Sequence, residues 1–198
     1  MEVCSIILSA GKGSRMFSDI PKPLHLISGK TMLERVIDAN KSANIKKCII
    51  VLPENCEAFE GICHDFETVV QKVPKGTGDA VKKASNLLKK FTGVILVCFG
   101  DTPFLTPETF KRVIKAFDNK TKLVITGFKK FEKNNYGKII FSKTNEPIEI
   151  IEQKDAEVRN IHSEFCNGGV MAIHSSIINR LNKIQENLIS KEFYLTDL

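Results

Sequence analysis

Apolar positions along the chain follow two alternating rhythms. Residues 3–8, 47–52 and 94–99 are short, nearly unbroken apolar runs, the pattern of strands covered on both faces. Between them apolar residues recur at helical spacing over 32–43 and 79–88, where Ala80, Ala84, Leu87 and Leu88 share one face. Thr31 and Glu34 form a capping box ahead of the first of these helices. Pro53 closes the second strand, a short helix is predicted around 56–62, and residues 68–71 read as a short strand. Thr106-Pro107-Glu108 places an N-cap, a proline at the first helical position and an acidic first turn ahead of a helix running to Phe117. Strands alternating with helices predict right-handed βαβ units and a mostly parallel sheet, with 94–99 at its centre.

The rhythm changes in the second half. Residues 123–128, 137–141, 148–151 and 170–173 read as strands with few helices between them, and 175–186 as a last helix. This predicts a mixed-sheet continuation folding over the open end of the parallel half. No linker composition or internal repeat divides the chain, so residues 1–198 are read as one domain.

The first strand empties into Ser9-Ala10-Gly11-Lys12-Gly13-Ser14-Arg15-Met16, followed by Pro21-Lys22-Pro23-Leu24. Glycines let backbone N–H groups close on a phosphate, and Lys12, Arg15 and Lys22 supply neutralising charge. The stretch therefore predicts a polyphosphate cradle at the carboxyl end of the first strand. Two commoner phosphate loops are excluded. The dinucleotide fingerprint needs a third glycine where Met16 stands and a helix where Pro21 and Pro23 follow. Gly29-Lys30-Thr31 resembles the end of a P-loop, but that motif needs glycine where Leu24 stands.

Composition narrows the picture modestly. With 198 residues and 42% hydrophobic content the chain can bury a sizeable core, and no apolar stretch is long enough to cross a membrane. The six cysteines form no C-x-x-C pair, and Cys4, Cys48 and Cys98 lie inside strand runs as small hydrophobes; Cys63-His64 has no second pair at ligand spacing. The expectation is a reduced, cytoplasmic protein. A net charge of +6 suits anionic ligands, but the lysines fall in scattered pairs without a nucleic-acid recognition motif, which argues against a nucleic-acid partner.

Candidate chemistry sits at strand ends. Asp101, after Gly100, is either a carboxylate for Mg²⁺ shared with phosphates or an Asx-type cap before Thr102-Pro103; the cation-rich loop favours the metal. Gln71 with Gly76-Thr77 is either a nucleobase reader or an ordinary strand end and turn. Tyr136-Gly137, Glu152 to Ala156 and Asn167-Gly168-Gly169 put small or polar residues at further strand ends, as buried sugar hydroxyls require and as turns also show.

Taken together, these stretches resemble the uridylyltransferase domain of bacterial N-acetylglucosamine-1-phosphate uridylyltransferases, within the sugar nucleotidyltransferase superfamily. The resemblance runs from Val3 to Leu198. It is carried by Leu8 to Met16, Pro21-Lys22-Pro23-Leu24-His25, Gln71 with Gly76-Thr77-Gly78, Gly100-Asp101, Tyr136-Gly137-Lys138-Ile139, Glu152-x-Lys154-Asp155-Ala156, Asn167-x-Gly169 and Tyr194-Leu195-Thr196-Asp197. It implies an α/β, Rossmann-like nucleotidyltransferase fold: a mostly parallel central sheet flanked by helices, with a mixed-sheet sugar-binding extension. It implies uridylyl transfer from UTP to N-acetylglucosamine 1-phosphate, releasing pyrophosphate. Leu8, Ser9, Ala10, Gly11 and Gly13 would border the nucleotide; Arg15 and Lys22 would be the catalytic cations on its phosphates. Gln71, Gly76 and Thr77 would hold the uracil, Asp101 would ligate Mg²⁺, and Gly137, Glu152, Asn167, Tyr194 and Thr196 would hold the sugar phosphate. His25 is expected to pack rather than to act as a base.

The chain departs from the family pattern at Phe99, usually Tyr; at Lys75, usually apolar; and at Asp79, usually His or Ala. A cytidylyl- or guanylyltransferase, or a nucleotide-binding domain without turnover, are the alternatives these departures keep open. Relatives continue past Tyr-Leu-Thr-Asp with an Asn that is a second metal ligand and an acetyltransferase domain of hexapeptide repeats. The expectation for residues 1–198 is a nucleotidyltransferase domain without that continuation and without acetyltransferase activity.

Overall fold

The computed structural model describes residues 1–11, 13, 16–130, 132 and 134–198. Its elements in chain order are β1 (Glu2–Leu8), β2 (Leu26–Ile27), β3 (Lys30–Thr31), α1 (Met32–Ser42), β4 (Lys47–Pro53), α2 (Glu60–Cys63), β5 (Glu67–Gln71), α3 (Thr77–Ser85) and β6 (Gly93–Phe99). Then follow α4 (Pro107–Lys115), β7 (Leu123–Lys129), β8 (Lys138–Phe141), β9 (Pro147–Ile151), α5 (Gln153–Val158) and β10 (Phe165–His174). Eight strands make one sheet in the order β5-β4-β1-β6-β10-β8-β9, with β7 also paired to β10. β5, β4, β1 and β6 run parallel, and β10 adds antiparallel to β6.

Strand alternation sends Cys4, Ile6 and Leu8 of β1 to one core and Ile7 to the other. The first core is covered by Ala80, Val81 and Ala84 of α3 and by Leu181 and Leu195; the second by Leu33, Val36 and Ile37 of α1, Phe59, and Phe110 and Val113 of α4. β6 is buried from Gly93 to Cys98, as befits the central strand. The predicted caps are present. Thr31 Oγ1 accepts from Glu34 N, while Glu34 Oε2 accepts from Thr31 N; Thr106 Oγ1 accepts from Thr109 N. Gly29 and Lys30 belong to the β2–β3 hairpin, where Ser28 and Gly29 both take positive φ, so the P-loop-like tripeptide is a turn.

The second half departs from its reading in three places. First, β10 begins at Phe165 and passes through Asn167-Gly168-Gly169, which the pattern placed ahead of the strand; a register shift against β7 between Asn167 and Met171 absorbs them. Second, residues 153–158 form α5, which carries only one buried residue, Ala156, and so has no apolar stripe to announce it. Third, the last helix is a 3₁₀ run over Ser175–Lys183. β-branched Ile177 and Ile178 beside Asn179 and Asn182 are weak α-helix formers, and the tighter 3₁₀ turns still deliver Leu181 to the core. The extension continues the sheet itself beyond β6 and forms no separate layer.

Candidate functional site

The carboxyl ends of the parallel strands bring the predicted residues to one edge of the sheet. β1 ends at the buried Leu8, whose carbonyl accepts from Gly100 N at 2.9 Å, while Ser9 N donates to Val51 O at 2.8 Å. These bonds carry the sheet ladder one residue past the strands, so Ser9, Ala10 and Gly100-Asp101 leave it side by side. Ser9 is 1% exposed, and its hydroxyl, with no partner among the described residues, lies where a Cβ on Gly100 would stand. Only glycine lets Asp101 follow so closely on Ser9. Gly13 has φ +59°, and a Cβ there would come within 2.8 Å of Lys22 Cβ. The glycine loop thus rests on Lys22. Among the described residues nothing lies within 4 Å of the Gly11 Cβ position. Lys12, Ser14 and Arg15 lie outside the described residues.

Lys22 Nζ and Asp101 Oδ2 form an ion pair at 2.7 Å, each side chain about a third exposed (36% and 30%). Sequence reasoning assigned these residues to phosphate and metal separately and did not foresee the pair. No backbone hydrogen bond to the Asp101 carboxylate occurs among the described residues, and the turn is closed instead by Thr102 Oγ1 donating to Phe99 O at 2.6 Å. The capping alternative for Asp101 therefore falls. His25 packs as expected: its Nε2 contacts Ile20 O at 3.2 Å and its backbone joins Lys22 to Met32.

Gln71 closes β5 and is 5% exposed. Its Nε2 donates to Gly76 O at 3.1 Å and to Asp79 Oδ2 at 2.8 Å. Gln71 and Ala10 line a single cleft of about 350 Å³ with Pro53, Glu54, Asn55, Lys72, Val73 and Pro74. Gly76 has φ +96° and packs on the backbone of Phe193. Gly78 N donates to Phe193 O and Phe193 N to Lys75 O, both at 2.8 Å; Leu195 N donates to Thr77 Oγ1 at 2.9 Å. Thr77 is thus committed through its hydroxyl to the C-terminal segment. That segment's importance to the Lys75–Gly78 turn had no sequence signal, because its contacts are through backbone atoms.

One residue further on, Thr196 Oγ1 donates to Glu152 Oε1 at 2.9 Å. The Cβ position of Gly137 lies 3.5 Å from Glu152 Oε2, and Gly137 O accepts from Asn167 N at 2.8 Å. Asn167 Oδ1 accepts from Gly169 N, and Gly169 packs on the ring of Phe99, next to Gly100. Gly137, Glu152, Asn167 and Thr196 are therefore one connected set, and Gly169 ties it to Phe99, two residues before Asp101 in the chain. Tyr194 joins Glu152 in a second cleft of about 330 Å³ that also includes Glu149, Asp155 and Asp197. Burial raises the pKa of Glu152 above the usual glutamate value, against the lowering effect of the Thr196 hydrogen bond; burial likewise raises Asp197 and Tyr194. This acid-rich cleft suits hydroxyl and amide groups, while the cation Lys22 stands on the loop side.

The cysteines take no part in the site. All six are free, and burial pushes Cys4 up to about 12 and Cys48 and Cys63 up to about 11, far from nucleophilic. Among the described residues no three His, Cys, Asp or Glu side chains gather to hold a metal, so a cation at Asp101 would need phosphate oxygens and water as its other ligands. No helix among the described residues is long and apolar enough to cross a membrane.

Against known structures, the fold superposes on a UDP-glucose pyrophosphorylase complexed with UDP-glucose, with a TM-score of 0.81 at 18% identity, covering all of this chain and 85% of the other. HddC from Yersinia pseudotuberculosis gives 0.71 at 21%, covering 99% and 84%. By sequence, the chain is 37% identical over its whole length to the bifunctional protein GlmU of Ruegeria sp. and 38% identical to that of Buchnera aphidicola. It spans 45% and 43% of the lengths of those two relatives. The model of the MobA-like NTP transferase domain matches residues 5–180, and the chain belongs to that family.

Proposed function

We propose that the chain transfers a uridylyl group from UTP to N-acetylglucosamine 1-phosphate, giving UDP-N-acetylglucosamine and pyrophosphate, as a cytoplasmic enzyme. The observation that carries this reading is the gathering of two linked sets at one sheet edge: Ser9, Gly100, Asp101 and Lys22, and beside them, across the cleft that Ala10 and Gln71 share, Gln71, Gly76 and Thr77 joined through Leu195 and Thr196 to Glu152, Gly137 and Asn167. A phosphate loop, a base reader and a sugar-binding set on one sheet edge are what condensation of a nucleotide with a sugar phosphate needs.

In the reaction, an oxygen of the sugar phosphate attacks the α-phosphorus of UTP. The bond from that phosphorus to the oxygen bridging the β-phosphate breaks, and pyrophosphate leaves. The attacking phosphate is already ionised, so no strong base is required; the difficulty is bringing two anions together and stabilising the charge spread over the reacting phosphoryl group. Lys22 neutralises the phosphates once Asp101 is released from it, and Arg15, from the same loop, is assigned the same task. Leu8, Ser9, Ala10, Gly11 and Gly13 border the nucleotide; the Ser9 N–H is held by Val51 O, so the backbone donors come from the loop beyond it. Asp101 fits Mg²⁺: it offers hard oxygens, is partly open to solvent and takes no backbone hydrogen bond among the described residues. When bound there, Mg²⁺ supplies charge stabilisation to the phosphates. Glu152, Asn167, Thr196, Tyr194 and the Gly137 backbone hold the sugar hydroxyls and N-acetyl group.

Pyrophosphate release measured with UTP, CTP, GTP and ATP against N-acetylglucosamine 1-phosphate tests the proposal. Turnover with UTP that is lost in Asp101→Ala is the expected result. Turnover confined to CTP or GTP would replace the uridylyl reading, and nucleotide binding without turnover at any Mg²⁺ concentration would leave a binding domain.

A further inference from the structure

We propose that Asp79 is a specificity-determining positioning residue: it locks the Gln71 amide so that only its carbonyl oxygen is left for a ligand, which favours uracil over cytosine. The inference rests on Gln71 reading the base.

A glutamine amide offers two N–H donors on one side and an acceptor on the other, and in isolation either end can face a base. Here both neighbours of the nitrogen are acceptors, the Asp79 carboxylate at 2.8 Å and the Gly76 carbonyl at 3.1 Å. Turning the amide over would set oxygen against oxygen at both contacts. Both donors are therefore consumed, and nothing among the described residues donates to Gln71 Oε1. Asp79 is itself held in place. It stands in the first turn of α3, where a carboxylate is favoured by the helix dipole, and its side chain is only 18% exposed. Its other oxygen lies 3.8 Å from Lys83 Nζ one turn along the helix. A charged acceptor makes the stronger of the two restraints on Gln71.

An acceptor set against N3, and not against the 4-substituent where cytosine has a donating amino group, reads a pyrimidine by its ring nitrogen. Uracil presents N3–H, a donor, between two carbonyls; cytosine presents N3 as a lone pair. A fixed Oε1 facing that position accepts from uracil and meets cytosine lone pair to lone pair, leaving two acceptors without a donor. His or Ala in place of Asp79 would leave only the Gly76 carbonyl to orient the amide as a certain acceptor.

The test compares kcat/KM for UTP and CTP, with Mg²⁺ and N-acetylglucosamine 1-phosphate, in the wild type, Asp79→Ala, Asp79→Asn and Gln71→Ala, alongside calorimetric binding of each nucleotide. The two nucleotides share a triphosphate and a ribose, so general damage to the site lowers both equally and leaves their ratio alone. The expected result is a UTP preference that falls about tenfold in Asp79→Ala, mainly through KM for UTP, and is largely kept in Asp79→Asn, whose amide oxygen can still accept. An unchanged ratio in Asp79→Ala, with the ratio lost in Gln71→Ala, overturns the role of Asp79 and spares the base-reading role of Gln71. An unchanged ratio in both overturns the two together, as does a wild type that prefers CTP.

Discussion

Replacing Gly76 by alanine is the most exacting test of how the base-side turn is built. Gly76 sits at φ +96°, ψ 175°, a region that essentially only glycine occupies, and holding alanine there costs about 1–3 kcal/mol. The new methyl would also stand 2.5 Å from Phe193 O and 2.9 Å from Phe193 N and Glu192 Cβ. Two of these three neighbours are backbone, which cannot swing aside as a side-chain tip can, so overpacking adds about 1–3 kcal/mol. The sum is about 4 kcal/mol at its midpoint. For a chain of this length each kcal/mol lowers the melting temperature by about 2–4 °C, so a fall of about 8–16 °C is expected. The cheapest relief is to lift the C-terminal segment away, breaking the Gly78–Phe193 and Phe193–Lys75 hydrogen bonds. Amide hydrogen exchange should therefore show Phe193 and Leu195 losing protection before the sheet does. Gly11→Ala is the control: its Cβ meets nothing within 4 Å among the described residues and its φ is ordinary, so melting should hold or rise slightly while nucleotide binding weakens. A Gly76→Ala protein that melts like the wild type with Phe193 still protected would refute the reasoning.

Two further expectations concern charge. Burial raises the Glu152 pKa, so the folded state holds a proton there that the unfolded chain has released. That contribution is complete below the ordinary glutamate value near 4.5 and declines as pH rises through the higher folded value. Glu152→Gln, which keeps an acceptor for Thr196, should flatten this part of the stability curve in denaturation midpoints taken from pH 4 to 7; an unchanged slope would count against the burial argument. For Lys22→Ala, the ion pair with Asp101 is partly solvated and contributes at most about 1 kcal/mol, so the melting temperature should move by no more than about 4 °C. Turnover should fall about a hundredfold or more if Lys22 stabilises the reacting phosphates. Near-normal kcat and KM would remove it from the catalytic set.

Much of the parallel half was legible because its strands are covered on both faces and its helices carry apolar stripes and explicit caps. Ile49 to Val51 and Val94 to Cys98 are buried almost without interruption, and Thr31 and Thr106 cap as their local sequences require. The extension was harder to read. α5 has one buried residue, and β10 runs through two glycines whose placement depends on a bulge against β7. In the site, residue types pointed to Asp101, Gln71, Glu152 and Asn167, because few roles suit such groups at strand ends. Their connections were not visible. Lys22 finds Asp101 from 79 positions away in the chain, and Thr77 meets Leu195 through a backbone N–H that carries no side-chain identity. Pairings across such distances are set by topology, which local pattern does not encode.

The tie between Thr77 and Leu195, with Thr196 on Glu152 beside it, has a thermodynamic corollary. Two neighbouring residues of one segment hold the turn proposed for the base and the carboxylate proposed for the sugar, so the two subsites share a strut whose order both can spend or restore. A ligand that stills this strut from one side lessens the entropy the other must surrender. Linkage makes any such help mutual: the factor by which sugar phosphate tightens UTP must equal the factor by which UTP tightens sugar phosphate. Cutting the strut by Thr196→Val should bring that shared factor toward one from both directions at once, and calorimetric titrations in either order would have to agree on its size.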